Sequence, residues 1–321
     1  MNILITGGTG FVGAELARVI CGHDDKVVLF DVNPNYRRIS DFKDQVKVVQ
    51  GNLSNWQEVM NVVKENDIQG IYHFGGILSV PSEANPWNSF QVNVIGTVNV
   101  LEAARLFGVD KVIFSSSLAT YGPGIEYNVT DETIQRPTTM YGCSKVYGEL
   151  LGSYYRRKFG LDFRTIRFPS IVGPGVRTPG VAQYTSWMIE YAINGKPYEC
   201  FVSEETKSPA IYFKDAVMCS EILFRTEKEK IKTVNYLVAG ITPSLTAKEI
   251  ELTIKRYLPF QVTYNPDPEI MRVYSTLHLD KIDDTNARLE WGWKSQYDSY
   301  DKIVPDFTDE MRLHPGRYRI D

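Results

Sequence analysis

The sequence is short of the features that mark several protein classes. Its four cysteines, Cys21, Cys143, Cys200 and Cys219, lie far apart in 321 residues with no CxxC spacing. That pattern argues against a disulfide framework or a zinc site and fits reduced thiols. Four scattered histidines supply no metal-ligating cluster, so no metal is expected. No basic run interrupts the mixed charges, and the formal net charge is −4, which argues against a nucleic-acid or anionic-membrane partner. No stretch reaches the roughly 20 apolar residues of a membrane span. The run NILIT begins at Asn2 and glycines follow from Gly7, which leaves no room for a charged leader and a hydrophobic signal core. These absences predict a cytoplasmic protein with a small-molecule partner.

The chain is 43% hydrophobic and 23% charged, a composition suited to one large core and a smaller lobe. Through the first 170 residues short β-branched runs alternate with longer helical patterns, the signature of βαβ units in a parallel sheet. Strands are expected at NILIT (2–6), KVVLF (26–30), VKVVQ (46–50), GIYHF (70–74), KVIFS (111–115) and DFRTIRF (162–168). Each is short and mostly apolar, as a strand buried on both faces requires. Between them FVGAELARVI, WQEVMNVVKE, FQVNVIGTVNVLEAARLF and YGCSKVYGELLGSYYRRKFG carry apolar residues at three- and four-residue spacing and read as helices. After Pro169 the alternation decays into the loop-like SIVGPGVRTPG. Residues 171–321 are expected to form mainly a substrate-binding lobe sharing a cleft with residues 1–170. That lobe should hold helices near 181–194 and 214–224, strands at YECF, AIYF and VNYLV, and a helix capped by Thr246 with Glu249 three residues on.

ITGGTGFVG places Gly7, Gly10 and Gly13 directly after the first strand and at the opening of the first helix. A turn of this kind lets backbone N–H groups and the helix dipole approach a diphosphate that side chains would obstruct. Asp31 stands at the carboxyl tip of the second strand, where a carboxylate accepts hydrogen bonds from both ribose hydroxyls and repels the extra phosphate of NADP. NAD is the expected cofactor, with Arg37 and Arg38 nearby as the feature compatible with NADP. Asn52, beside Leu53, falls where an adenine edge is read, and Gly75 and Gly76 after Phe74 fall on the diphosphate–nicotinamide track. Phe11, Val12, Ser115, Phe168 and Ile171 complete the expected cofactor lining.

YGCSK sets Tyr141 and Lys145 one helical turn apart on one face. A phenol with pKa near 10 is a poor base, and a neighbouring ammonium favours its phenolate. The expectation is therefore that the Tyr141 pKa moves down toward working pH. FSSSLATYG follows the fifth strand and puts Ser117 or its neighbour Ser116 opposite Tyr141, Ser117 being favoured as the group that donates to the substrate oxygen.

These residues resemble the extended short-chain dehydrogenase/reductase family over nearly the whole chain, through TGGTGFVG, Asp31, Asn93 in NVIGT, SSSLATYG and YGCSK. The resemblance implies a Rossmann-type, doubly wound α/β sheet with a smaller carboxyl-terminal lobe. It also implies catalytic Ser117, Tyr141 and Lys145, bound NAD with Asn93 at the site, and a homodimer built through the helices that begin near Phe90 and Tyr141. Within the family, GGILSVPSEANP, RPTTMYGCSK, YYRRKFGLDFRTIRFP, KPYECFVSEETKSPAIYFKDA and IDDTNARLEWGWK resemble the short-chain type of L-threonine 3-dehydrogenase. Ser79 matches a substrate-contacting serine of that type. Nucleotide-sugar epimerases usually show an Arg-Asp-Phe-like run where this chain reads SPAIYF, which counts against uridine diphosphate recognition; an NAD-dependent nucleotide-sugar epimerase or dehydratase is the alternative. The chain departs from the threonine pattern at GVAQY, Gly180 to Tyr184, where a Gly-Thr-Thr-Asp-Tyr run is expected, and YSTLHLDKIDD lacks a tryptophan–proline pair common before the equivalent of Ile282. Arg177 in the same loop is a candidate partner for a substrate carboxylate or phosphate. The expected reaction is oxidation of a secondary alcohol on a small polar substrate, with Tyr141 as base, Lys145 lowering its pKa and Ser117 positioning the oxygen.

Overall fold

The computed structural model describes residues 1–125, 128–276 and 279–318, so positions 277–278 of the YSTLHLDKIDD run lie outside the described residues. Seven parallel strands form the central sheet: β1 (Asn2–Thr6), β2 (Lys26–Asp31), β3 (Val46–Gln50), β4 (Gly70–His73), β5 (Lys111–Ser117), β6 (Asp162–Phe168) and β7 (Asn235–Leu237). Their order is β7-β6-β5-β4-β1-β2-β3. Register is tight at the centre, with Ile3 opposite both Val27 and Gly70, and Lys111 opposite Asp162. The order reverses at β1, and at such a switch point the carboxyl ends of neighbouring strands diverge into a crevice.

Burial on both faces explains the apolar runs: Ile3, Leu4 and Ile5 are fully buried, as are Val112, Ile113, Phe163 and Ile166. The helices Phe11–Ile20 and Phe213–Arg225 pack on one face of the sheet, and Trp56–Glu65 and Gly96–Leu106 cover the other. The helix Met140–Phe159 lies unusually close to β5 and β6. A Cβ on Gly148 would fall 2.5 Å from Phe114, and one on Gly152 2.1 Å from Phe163. Two hydrogens facing two aromatic rings thus fix how near Tyr141 and Lys145 stand to the sheet.

The capping box at Thr246 and Glu249 is present, opening the helix Ala247–Lys255. The helix expected from Phe90 is partly different, because Phe90–Ile95 is a π-helical turn that becomes α-helical only at Gly96–Leu106. The VNYLV strand is not confined to the carboxyl-terminal lobe: its Asn235–Leu237 core hydrogen-bonds β6 and forms the sheet's seventh strand. Tyr184–Ile193, Ala247–Lys255, Pro268–Thr276 and Tyr300–Leu313 surround a separate carboxyl-terminal core that includes Tyr184, Met188, Ile250 and Phe307.

Candidate active site

The chain leaves β1 through Gly7, whose φ of +64° is the left-handed conformation that glycine adopts without strain. A Cβ there would lie 2.8 Å from Gly75 Cα, and a Cβ on Gly13 would lie 2.2 Å from Gly7 O. No side chain caps Gly10, so the first-turn N–H groups of the helix Phe11–Ile20 are left for a ligand. That uncapped, side-chain-free cradle fits the diphosphate of NAD.

Asp31 is held in place rather than loose: its Oδ2 accepts hydrogen bonds from Thr9 Oγ1 at 2.8 Å and Thr9 N at 3.2 Å. Thr9 escaped the sequence reading although it lies inside the glycine motif, because the motif identifies it only as a spacer. Asn52 accepts from Ser54 N and Oγ at 3.0 and 2.9 Å, which orients its amide at the cleft. Arg38, read as compatible with NADP, is buried with its guanidinium 5.7 Å from the Phe11 ring and bonded to Gly175 O.

Helix Met140–Phe159 begins at Thr139, whose hydroxyl accepts from Gly142 N at 3.1 Å. A Cβ on Gly142 would sit 2.1 Å from Ala119 O, so the helix start presses against the turn after β5 and brings Tyr141 close enough to Ser117 for the serine hydroxyl to act on the phenol. Ser116 points elsewhere: buried, it donates to Glu149 Oε1 at 2.5 Å, and Glu149 is also chelated by Arg167 at 2.8 Å. Of the two serines, Ser117 is the one at Tyr141.

Lys145 is buried, donates to Ser115 O at 2.6 Å and lies 5.4 Å from the Tyr141 ring centroid. Burial pulls its pKa down to about 8, with Glu149 opposing the shift. The Tyr141 phenol departs from expectation: burial pushes it up to about 12, and the Ser117 hydroxyl recovers only part of that. The ammonium is tied to Ser115 O and flanks the ring, so it does not offset desolvation in the protein alone. His73, between Thr6 and Thr97 at 2.8 and 3.0 Å, is pulled down to about 3 by burial and stays neutral.

One cleft of about 890 Å³ connects these groups. Its wall includes Gly7, Gly10, Phe11, Val12, Gly13, Asp31, Asn52, Leu53, Phe74, Gly75, Gly76, Ser115, Tyr141, Lys145, Phe168 and Ile171, expected at the cofactor, and Ser79, Ser117, Arg177 and Gly180, expected at the substrate. Asn93 is the exception. It is buried, clamping Ile77 N and O at 2.7 and 2.9 Å and reaching Ser144 Oγ at 3.3 Å, so it braces the loop after Phe74.

Arg177 lines the cleft but is already engaged by Glu190 at 3.1 Å and by Tyr318 O at 2.8 Å. An anionic substrate would therefore compete with Glu190 for it. Lys207, Ser208 and Tyr274 also line the cleft and were not anticipated. Tyr274 donates to Val181 O at 3.1 Å, fastening helix Pro268–Thr276 over the loop that departs from the threonine pattern. The amphipathic spacing of that helix was the signal available to find it.

The profile of the NAD dependent epimerase/dehydratase family matches residues 3–239. The mitochondrial L-threonine 3-dehydrogenase of Bos taurus is 31% identical over 326 residues, which cover 99% of this chain and 84% of that protein. The holo form of a GalE-like L-threonine dehydrogenase from Cupriavidus necator has a TM-score of 0.90 and 30% identity, over 97% of this chain and 100% of that one. A monomeric L-threonine 3-dehydrogenase from a metagenome, in its apo form, gives 0.89 and 28%, over 97% and 99%. Likeness of that extent, around a cleft whose glycine turn fits a dinucleotide, leads to one assignment: the chain belongs to the NAD dependent epimerase/dehydratase family and is an NAD-dependent enzyme of the extended short-chain class.

Proposed function

We propose that the enzyme oxidises the secondary alcohol of a small polar substrate, with L-threonine as the first candidate and 2-amino-3-oxobutanoate as its product. The observation that carries this reading is the convergence of Ser117, Tyr141 and Lys145 on the wall of the cleft that also contains the glycine turn and Asp31. Residues 1–170 hold NAD, and residues 171–321 mainly close over the substrate. In this scheme the phenolic oxygen of Tyr141 takes the hydroxyl proton of the substrate. Ser117 donates to the same substrate oxygen and orients it. Lys145, anchored on Ser115 O, keeps a positive charge beside the ring and favours the phenolate. Ser79 and Gly180, on the wall of the same cleft, meet the rest of the substrate, and Arg177 takes a substrate carboxylate by giving up part of its pairing with Glu190. NAD, when bound, supplies the hydride acceptor and a further positive charge that favours ionisation of Tyr141.

The named relatives support threonine, and GVAQY bears on it as well. Val181, Ala182 and Gln183 stand where two hydroxyls and a carboxylate are expected, which lowers the hydrogen-bonding capacity offered to an amino acid. The test is NADH absorbance with purified protein, NAD and a panel of β-hydroxy amino acids, hydroxy acids and sugars. NADH formation with L-threonine is the expected result. Silence with threonine and turnover of another alcohol would change the substrate and keep the reaction. Retained NAD with no net NADH from any alcohol, together with epimerisation of a nucleotide sugar, would replace the reading by the epimerase alternative.

We also propose a homodimer in the cytoplasm. Tyr147, Leu150 and Tyr154 are exposed at three- and four-residue spacing along Met140–Phe159, a surface suited to a helix-on-helix contact. The four cysteines are free, two of them buried, which suits a reducing compartment.

A further inference from the structure

Among the described residues, buried arginines have carboxylate partners, with one exception. Arg164, fully buried, pairs with Asp162 at 2.7 Å, and Arg167 pairs with Glu149 at 2.8 Å. Arg38 is only 7% exposed, yet among the described residues no carboxylate lies within ion-pair distance of it. Its Nη2 donates to Gly175 O, whereas its Nη1 is buried with no hydrogen-bond partner. The acids in the neighbourhood are already taken. Glu15 accepts from Arg18 and from Tyr318 Oη at 3.1 Å, and Glu190 accepts from Gly175 N and from Arg177 at 3.1 Å.

A buried guanidinium with no carboxylate and one unsatisfied nitrogen is costly, because it remains charged at any working pH and has lost its water. Desolvation does pull the Arg38 pKa down, and Glu15 and Glu190 offset that only in part. The position of the group makes sense of the cost. Arg38 forms part of the cleft wall together with Gly10, Phe11, Val12 and Val176, beside the uncapped start of the helix Phe11–Ile20. We infer that Arg38 is a second anion anchor of the cofactor site: its Nη1, sealed and without a partner in the protein alone, turns toward the cleft to take the diphosphate of NAD. The first-turn N–H groups approach the diphosphate from one side, and the guanidinium closes on it from another. A single side chain then touches both the cofactor and the loop that leads to Arg177 and Gly180. The inference rests on NAD as the cofactor and is independent of the substrate.

The test is calorimetric titration of wild type, Arg38→Gln and Arg38→Lys with adenosine, ADP and NAD, alongside thermal denaturation of each protein. Loss of one charge-assisted hydrogen bond should weaken ADP and NAD binding to Arg38→Gln by about tenfold or more, while adenosine binding stays within about twofold. Arg38→Lys should fall between, since an ammonium keeps the charge without the planar fork. Equal losses for adenosine and ADP would overturn the inference by marking Arg38 as structural, and so would unchanged affinity for all three. Should Arg38→Gln fail to fold, the ratio of ADP to adenosine affinity in Arg38→Lys carries the comparison: a severalfold fall supports the anchor and an unchanged ratio overturns it. Wild-type protein that binds none of the three would sink the NAD assignment itself.

Discussion

In the proposed reaction Tyr141 and its neighbours set the chemistry, and the number that matters is the distance of the phenol from its working ionisation. With its pKa at about 12 in the protein alone, only a small fraction of Tyr141 is ionised near neutrality, and that fraction grows tenfold for each pH unit. Oxidation of the alcohol should therefore speed up as pH rises from about 6, then bend over as Lys145 gives up its proton above about 8. A pH series of kcat/KM at saturating NAD reads the same rise displaced toward lower pH by the cofactor's positive charge, and a flat profile from about pH 6 to 8 would contradict it. Tyr141→Phe should lower kcat/KM by about 10²- to 10⁴-fold with NAD affinity retained. At this scale the sequence was most legible where the chemistry imposes spacing: glycines at a turn, an acid at a strand tip, a tyrosine and a lysine one turn apart. It was least legible where burial decides the outcome. The direction of the Tyr141 shift, the bracing of the loop after Phe74 by Asn93 and the engagement of Arg177 with Glu190 all depend on which groups three-dimensional packing brings close, and no spacing encodes that.

Elements position these residues through a few close contacts. Glu149 lies one turn beyond Lys145 and receives Ser116, Gln135 and the fork of Arg167, so it binds the helix Met140–Phe159 to both β5 and β6. Arg167→Met would leave Glu149 buried without its cation, at a cost of about 3–5 kcal/mol. Urea unfolding should register that loss, and adding Glu149→Gln should restore much of it by removing the stranded charge. Undiminished stability in the single variant would show that the ion pair contributes little. The opposite face of the same helix carries the proposed dimer contact. Leu150 is 65% exposed, and Leu150→Glu should turn a dimer into a monomer by light scattering while leaving the fold intact. A monomeric wild type would remove that interface, in line with the monomeric metagenome relative. The paired glycines at 148 and 152 look in sequence like a weak point of the helix, and only the aromatic rings opposite them reveal why they are there. The π-helical turn at Phe90–Ile95 is likewise invisible to apolar spacing, because its residues keep a helical pattern while the backbone widens by one residue per turn.

Over the whole molecule, the proposed division into a cofactor part and a substrate part is crossed by the packing. β7 comes from the carboxyl-terminal half and hydrogen-bonds β6. Helix Phe213–Arg225, also from that half, lies on the sheet with Glu221 bonded to Tyr72 Oη at 2.5 Å and to Arg225 Nε at 2.7 Å. A fragment ending at residue 170 would expose the β6 edge and the apolar surface now covered by Val217, Leu223 and Phe224, all buried here. An uncovered edge of that kind pairs with other chains and aggregates. The expectation is that residues 1–170 alone give no cooperative thermal transition, whereas the full chain melts as one unit. NAD should raise that single transition, because a ligand bound only by the folded state adds about 2.7 kcal/mol at a concentration of 100 Kd. Two separate transitions in the full chain, with NAD moving only one of them, would show that the halves fold independently in spite of the shared sheet. A fragment that folds and binds NAD would make the same point, since the cofactor site would then need neither β7 nor the helix that covers its face of the sheet.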